Sequence, residues 1–328
     1  MNDRLQLPKV ELHCHLEGTM PPPLVRRLAT RNGIQLTDGL FDNNDQFVWT
    51  NFSEFLKAYD GGARCLRTGQ DYHDITYEYL SSCAQQGAIY VELFASPDHA
   101  AAVGISYTEM LEGCVQAIDN AQRDHQICGR IIITCVRHLG PGQALSVAQQ
   151  MVAEPHPYVV GFGMGGDETL HSPQDFLPAY RIASDAGYGC TAHAGEVCGP
   201  ESVWAAIDQL PVTRIGHGVR SIEDPKLLEA LYHRNIALEI CPGSNIALNV
   251  YPDYSVHPLL ALLDAGISLS LNSDDPPFFW TSIGKEYQRG ASTFQLSEQQ
   301  LLKISCMALK AAFVDEETKS QLLLQLKN

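Results

Sequence analysis

The chain has 328 residues, of which 45% are hydrophobic and 18% are charged, so it can bury a large core, which argues against extended disorder. Its net charge of −16 argues against a nucleic-acid or anionic-membrane partner, because binding to either needs clustered Lys and Arg. Ten scattered cysteines form no CxxC pair, and we find no apolar leader or membrane-length stretch; together these features predict a cytoplasmic protein with reduced thiols.

The first predicted strand runs over Lys9–His15, where apolar and polar residues alternate with period two. His13 and His15 are separated by one residue, so their side chains share one face of this strand. In a closed barrel that face is the interior. The sequence therefore predicts two histidines that point together into a barrel.

An insertion over Gly18–Gln86 follows the first strand and is predicted to be helical. Its helices begin at Pro21-Pro22-Pro23 and cover Phe52–Tyr59 and Tyr72–Gln85. The second helix carries an apolar stripe made of Phe52, Phe55, Leu56 and Tyr59. Such a stripe is typical of a helix that faces the core. Because the insertion follows strand 1, the alternative is that the stripe forms a pocket wall over the barrel mouth.

Seven more strands alternate with helices through the rest of the chain. The strands are predicted at Ala88–Phe94, Arg130–Val136, Tyr158–Gly163, Gly189–His193, Arg214–Gly218, Ile236–Cys241 and Ile267–Leu271. Helical stretches separate them, and further helices follow Pro276. Eight such units favour a closed (β/α)₈ barrel over a doubly wound sheet. We expect one domain over residues 1–328, with the helical insertion and extra C-terminal helices added to it.

Polar side chains gather at the ends of the predicted strands, which is where barrels of this class place their function. They include His13 and His15, Gly166 to Glu168, His193 and Glu196, His217, and Asp274 with Asp275. Three histidines and one aspartate, without cysteine, suit a Zn²⁺ ion that keeps one position open. A lone buried histidine is more often a core residue, and Asp-Asp-Pro is also ordinary turn chemistry. The zinc prediction therefore depends on the whole set.

Six short motifs, in order along the chain, carry a family resemblance. They are Leu12–Gly18, Gly166–Glu168, His193–Glu196, Gly216–Gly218, Cys241–Asn245 and Asn272–Pro276. Each is weak alone, but the ordered set resembles the adenosine deaminase family of the amidohydrolase superfamily, with bacterial adenosine deaminases the most similar. The resemblance implies a mononuclear zinc enzyme that replaces the 6-amino group of a purine with oxygen and releases ammonia.

The resemblance also implies a role for individual residues. The ligands of one zinc ion per chain would be His13, His15, His193 and Asp274. Glu196 takes the place of the proton donor to purine N1, and His217 that of the histidine that orients the attacking hydroxide and can act as its base. Asp275 matches the carboxylate that bonds N7, and Gly166 the glycine whose N–H meets N3. The expected substrate-binding residues are His15, Glu17, Gly166 and Asp275.

The substrate is where two features of the sequence conflict. Many adenosine deaminases carry Asp at the position of Glu17, where it contacts the ribose 5′-hydroxyl, whereas related adenine deaminases carry Glu. Gly166-Asp167-Glu168 resembles the nucleoside enzymes instead. We expect deamination of adenosine and 2′-deoxyadenosine. The alternatives are deamination of free adenine or a modified aminopurine, and a metal-free binding protein without activity.

Overall fold

Eight parallel strands follow one another in sequence order and form one barrel. The structure, a computed structural model, describes residues 7–326. The strands are β1 (Lys9–Glu11), β2 (Ala88–Ala95), β3 (Cys128–Val136), β4 (Val159–Gly165), β5 (Gly189–Ala194), β6 (Arg214–His217), β7 (Ala237–Ile240) and β8 (Leu269–Leu271). A bridge between Cys14 and Asp274 joins the chain after β1 to the chain after β8. The predicted (β/α)₈ barrel is confirmed.

Helices fill the connections, the insertion and the C-terminal region. The insertion between β1 and β2 contains α1 (Pro22–Asn32), α2 (Phe52–Ala63) and α3 (Gly69–Gln85). The later connections contain α4 (Pro97–Ala102), α5 (Tyr107–His125), α6 (Pro141–Ala153), α7 (Leu177–Asp185), α8 (Pro200–Gln209), α9 (Pro225–His233), α10 (Pro242–Ala247) and α11 (Leu259–Asp264). After β8 come α12 (Ile283–Ser292), α13 (Glu298–Ala311) and α14 (Glu316–Gln325). The predicted insertion and C-terminal helices are thus present.

The first strand is shorter than predicted. Regular pairing of β1 stops at Glu11, whereas the prediction extended to His15. The reason is that a side chain replaces the backbone partner, because the N–H of Leu12 donates to Asn272 Oδ1 at 2.9 Å. Beyond this point only isolated bridges hold the segment, such as the one between His15 and Phe94. The segment with the two histidines therefore leaves the regular ladder and turns toward the barrel mouth.

The interior of the barrel holds an ion network in place of a purely apolar core. Arg214 donates to Glu239 on β7 and to Glu92 on β2, both at 2.6 Å, and it also lies 3.7 Å from the centre of the Phe313 ring. All three charged side chains are at most 1% exposed. Because β2 and β7 lie on different sides of the barrel, the guanidinium connects them across the interior. Buried charges need such partners to avoid a large desolvation cost.

The cysteines behave as the sequence predicts. All ten are free thiols, and eight of them are buried. No helix within residues 7–326 combines the length and the apolar character needed to cross a membrane.

Candidate active site

The nine predicted site residues come together at one end of the barrel. Eight of them line a single cavity, namely His15, Glu17, Gly166, His193, Glu196, His217, Asp274 and Asp275. The ninth, His13, is buried directly beside it, and its ring centre lies 4.5 Å from that of His193 and 4.9 Å from that of His217. The carboxyl ends of the parallel strands deliver these side chains to one place, as the barrel fold requires.

Four of these side chains surround a common point. His13, His15, His193 and Asp274 each place one possible ligand atom within 4.8 Å of the others. The Nε2 atoms of His15 and His193 are 3.1 Å apart. Asp274 Oδ1 lies 3.5 Å from Nε2 of His13 and 3.4 Å from Nε2 of His15. Three imidazoles and one carboxylate in this arrangement can hold a divalent transition-metal ion.

The protonation states of this cluster also suit a metal. Burial lowers the pKa of His15 to about 3 and the pKa of His193 well below its usual value, so both imidazoles are neutral at pH 7. Burial would raise the pKa of Asp274, but the neighbouring histidines hold it well below the usual range. His13 Nε2 is buried without a hydrogen-bond partner among the described residues. Neutral imidazoles and an ionised carboxylate are what metal binding needs. His13 differs, because burial would lower its pKa but Asp274 and Glu239 outweigh that effect and raise the pKa to about 9, so a metal would have to displace a proton from this ring.

Glu239 is hydrogen-bonded to His13 and was not among the residues predicted from the sequence. The Nδ1–H of His13 donates to Glu239 Oε2 at 2.7 Å, which leaves Nε2 free to face the other three side chains. The same carboxylate accepts hydrogen bonds from Thr191 and Arg214. A carboxylate behind a histidine ligand fixes the ring orientation and raises its basicity. The available signal was a charged residue inside the apolar run Ile236–Cys241, since such a residue needs a buried partner.

Asp275 points into the cavity because a glycine leaves room for it. A Cβ on Gly18 would lie 1.7 Å from Asp275 Oδ1 and 2.9 Å from the ring of Tyr59. Asp275 Oδ1 itself is buried and has no hydrogen-bond partner in residues 7–326. Burial, followed by the charge of Asp274, raises the pKa of Asp275 well above its usual value. This shift favours the acid form of the side chain, which can donate a hydrogen bond to a ligand.

Glu196 and His217 face each other across the cavity, with 3.6 Å between Glu196 Oε1 and His217 Nε2. Burial, followed by the charges of Asp274 and Glu168, raises the pKa of Glu196 well above its usual value. This shift favours the protonated form of the Glu196 carboxyl group. Burial also lowers the pKa of His217 to about 4, so this imidazole is neutral.

The proton on His217 can be located by following hydrogen bonds inward. The backbone N–H of Leu259 donates to His257 Nδ1, so in neutral His257 the proton is on Nε2. His257 Nε2 then donates to Asn245 Oδ1, and the Asn245 amide nitrogen donates to His217 Nδ1. His217 Nε2 therefore carries the proton and points it toward Glu196 and Asp274. In this tautomer His217 is a hydrogen-bond donor to the cavity.

The remaining walls include residues of the insertion, of β2 to β4 and of the loops that follow these strands. Phe52, Phe55, Leu56 and Tyr59 of α2 all line the cavity. The predicted stripe is therefore a pocket wall as well as a packing face. Glu17 is 1% exposed, and its two oxygens accept from the N–H of Ser96 at 3.0 Å and from Tyr59 OH at 3.3 Å. Gly166 has φ +100°, a conformation that side chains rarely adopt, so the backbone can approach a ligand there.

Comparison with known proteins gives a consistent picture. Residues 8–328 match the family model described as adenosine deaminase. The chain is 45% identical over 318 residues to the adenine deaminase of Agrobacterium fabrum, with 97% of each chain covered. It is 43% identical over 320 residues to the adenine deaminase of Sinorhizobium medicae, with 98% of each covered.

Solved structures agree with this result. The crystal structure of adenine deaminase from Arthrobacter aurescens superimposes with a TM-score of 0.92 at 29% identity and covers 98% of both chains. An amidohydrolase from Burkholderia ambifaria, whose crystal structure contains zinc, superimposes with a TM-score of 0.90 at 28% identity. That match covers 99% of this chain and 90% of the other.

Proposed function

Since the chain belongs to the adenosine deaminase family, we propose that it is a zinc-dependent adenine deaminase, which converts the free base and water to hypoxanthine and ammonia. Membership makes it a hydrolase that acts on C–N bonds of cyclic amidines. The choice of adenine rests on the names of the relatives of this chain. Eight curated proteins that are 41–45% identical along nearly the whole chain are all adenine deaminases.

The expectation that adenosine is the substrate is therefore wrong, and the free-base alternative replaces it. Contacts of Glu17 support the change. That expectation had Glu17 bind the ribose, yet both of its oxygens already accept hydrogen bonds from Ser96 and Tyr59. These two contacts hold Glu17 in the cavity wall without a sugar. The resemblance of Gly166-Asp167-Glu168 to the nucleoside enzymes did not determine the substrate.

We assign the metal to zinc, with one ion per chain. His13, His15, His193 and Asp274 would hold it, and the zinc in the Burkholderia ambifaria structure supports this choice. When bound, zinc supplies Lewis-acid activation of water, whose pKa it lowers to roughly 7. The chain's own residues would do the rest.

Glu196 is the proposed proton donor to purine N1. Attack of water at C6 moves electron density onto N1, which must then receive a proton. Its raised pKa keeps Glu196 in the acid form that this step needs. His217, with its proton on Nε2, would donate a hydrogen bond that orients the attacking water, rather than remove a proton from it. Asp275, also in its acid form, would donate to N7, and the N–H of Gly166 to N3. The first proton of the attacking water would pass to solvent. The Glu196 carboxylate left after N1 is protonated would carry the C6 hydroxyl proton to the amino group, so that the C6–N bond breaks, ammonia leaves and the C6 carbonyl forms. A proton from solvent would then restore the acid form of Glu196.

The direct test is a purine panel assayed for ammonia release with zinc-loaded protein. We expect kcat/KM for adenine to exceed that for adenosine and 2′-deoxyadenosine by about 10²-fold or more. The panel includes 6-methylaminopurine to test the modified-base alternative, and hypoxanthine formation is the readout for that base because its leaving group is methylamine. Glu196→Gln, purified in the same way, controls for contaminating host deaminase. Faster turnover of adenosine than adenine, or no ammonia from any of these purines, would contradict the proposal.

A further inference from the structure

We propose that Glu168 is a positioning residue, which holds Glu196 in place by binding the backbone of the loop that carries it. This inference rests on the proposed function only for the role of Glu196 as proton donor. The contacts of Glu168 themselves are independent of the substrate. Glu168 lies in the connection after β4, whereas Glu196 follows β5, so the contact joins two neighbouring loops at the barrel mouth.

The carboxylate of Glu168 is the centre of five hydrogen bonds. Its Oε2 accepts from the backbone N–H groups of Glu196, Val197 and Cys198 at 3.1, 2.8 and 2.9 Å. Its Oε1 accepts from the N–H of Gly195 and from the hydroxyl of Ser202. The side chain is 3% exposed, so water does not compete for these donors. Four consecutive backbone N–H groups thus converge on one anion.

Within residues 7–326, no other acceptor contacts these four N–H groups. They lie between the end of β5 at Ala194 and the start of α8 at Pro200, where neither a sheet nor a helix supplies acceptors. Consecutive N–H groups that point to one side form a concave anion site. In most proteins a bound anion fills such a site, and here a side chain of the same chain fills it. A buried N–H without a partner costs about 1–3 kcal/mol, so the loop conformation depends on Glu168.

This arrangement fixes the position from which Glu196 acts. The N–H groups of Glu196 and of both its neighbours in sequence are held, and so its Cα has little freedom. Its side chain then reaches His217, with 3.6 Å between the facing atoms. A displacement of about 1 Å at a reacting group can lower a rate by about 10²-fold. Loss of Glu168 should therefore act mainly on the chemical step.

Glu168→Gln is the informative variant. Its amide has one oxygen instead of two. Its NH₂ group would face the N–H groups whose hydrogen bonds the second carboxylate oxygen accepts in the wild type. We expect kcat for adenine to fall by about 10–100-fold, while KM changes by less than about threefold and zinc content is unchanged. Hydrogen–deuterium exchange at residues 195–198 should become faster.

Glu201→Gln is the matched control. Glu201 lies in the first turn of α8, directly after this loop, and accepts from the N–H of Gly199 at 3.1 Å, but it is exposed and does not line the cavity. We expect this variant to keep kcat, KM and the protection of residues 195–198 close to those of the wild type.

A double-mutant cycle separates positioning from a general structural effect. If Glu168 acts through Glu196, then adding Glu168→Gln to Glu196→Gln should cost less than about a further threefold in kcat. Losses that multiply in the double mutant would overturn the inference, as would loss of zinc or unchanged exchange at residues 195–198. If Glu168→Gln does not fold, Glu168→Asp takes its place, because it keeps the charge but is one methylene too short to reach all five donors. The exchange measurement needs no substrate, so its result stands even if adenine proves not to be the substrate.

Discussion

Replacement of Glu239 by Gln should weaken metal binding without touching a metal ligand. In the wild type the two oxygens of Glu239 accept from His13 at 2.7 Å and from Arg214 at 2.6 Å. The amide of glutamine has only one oxygen, so its NH₂ group must face one of these two donors. The His13 ring then faces either the NH₂ group or a neutral amide oxygen, and in both cases it loses its carboxylate partner.

Two free energies should change, that of metal binding and that of unfolding, and each can be traced to one contact of Glu239. A carboxylate behind a histidine ligand typically contributes about 10–100-fold in metal affinity, equivalent to about 1.4–2.8 kcal/mol. Separately, removing one partner of a buried ion pair destabilises a protein by about 3–5 kcal/mol. Arg214 would keep Glu92 as its only carboxylate partner, so Glu239→Gln should lower the free energy of unfolding by an amount in that range.

Glu92→Gln separates the two effects, because Glu92 shares Arg214 with Glu239 but does not touch His13. Both variants should lose stability in urea titrations. Only Glu239→Gln should lose zinc affinity, measured by competition with a chromogenic chelator. Equal zinc affinities in the two variants would refute the reasoning, because the His13–Glu239 contact would then contribute nothing to the site.

Three further predictions concern the cluster and the cavity. His193→Ala should lose most of its zinc and its activity together, and metal analysis that finds a full zinc content with normal turnover would rule out His193 as a ligand. Gly18→Ala should abolish most adenine turnover while zinc is retained, since the new methyl group would collide with Asp275. Gly61→Ala is the control, because its Cβ would meet Leu40 at an ordinary 3.4 Å. Equal kinetics in the two variants would disprove the role of the Gly18 contact. Removal of zinc should lower the unfolding temperature, because a ligand at 100 times its Kd stabilises the folded protein by about 2.7 kcal/mol. Identical calorimetric scans of the loaded and stripped protein would argue against a metal that binds the folded state.

The barrel and most of the cavity could be predicted because both follow from regular patterns. Alternation of apolar strands with helices defines the fold, and in a parallel barrel the strand ends must meet. His13, His15 and Asp274 could therefore be placed together although they lie at opposite ends of the sequence.

What could not be predicted depends on contacts that no spacing encodes. Glu239 and Glu168 are single acidic residues, and their importance appears only when three strands or two loops are packed together. The early end of β1 has the same origin, because the side chain of Asn272 replaces a backbone acceptor. The substrate was predicted wrongly because the resemblance of Gly166-Asp167-Glu168 to the nucleoside enzymes was given more weight than Glu17, which matches the adenine deaminases.

The metal cluster also has a consequence for the order of events during synthesis. Two of its histidines belong to the segment after β1, and its aspartate follows β8 at the point where the barrel closes. Asp274 is made 261 residues after His13, which corresponds to roughly 13–50 s at ordinary elongation rates of about 5–20 residues per second. During that interval a nascent chain offers only part of the proposed ligand set. The complete set of four can form only after Asp274 has been made, so full coordination of an ion would accompany or follow closure of the barrel.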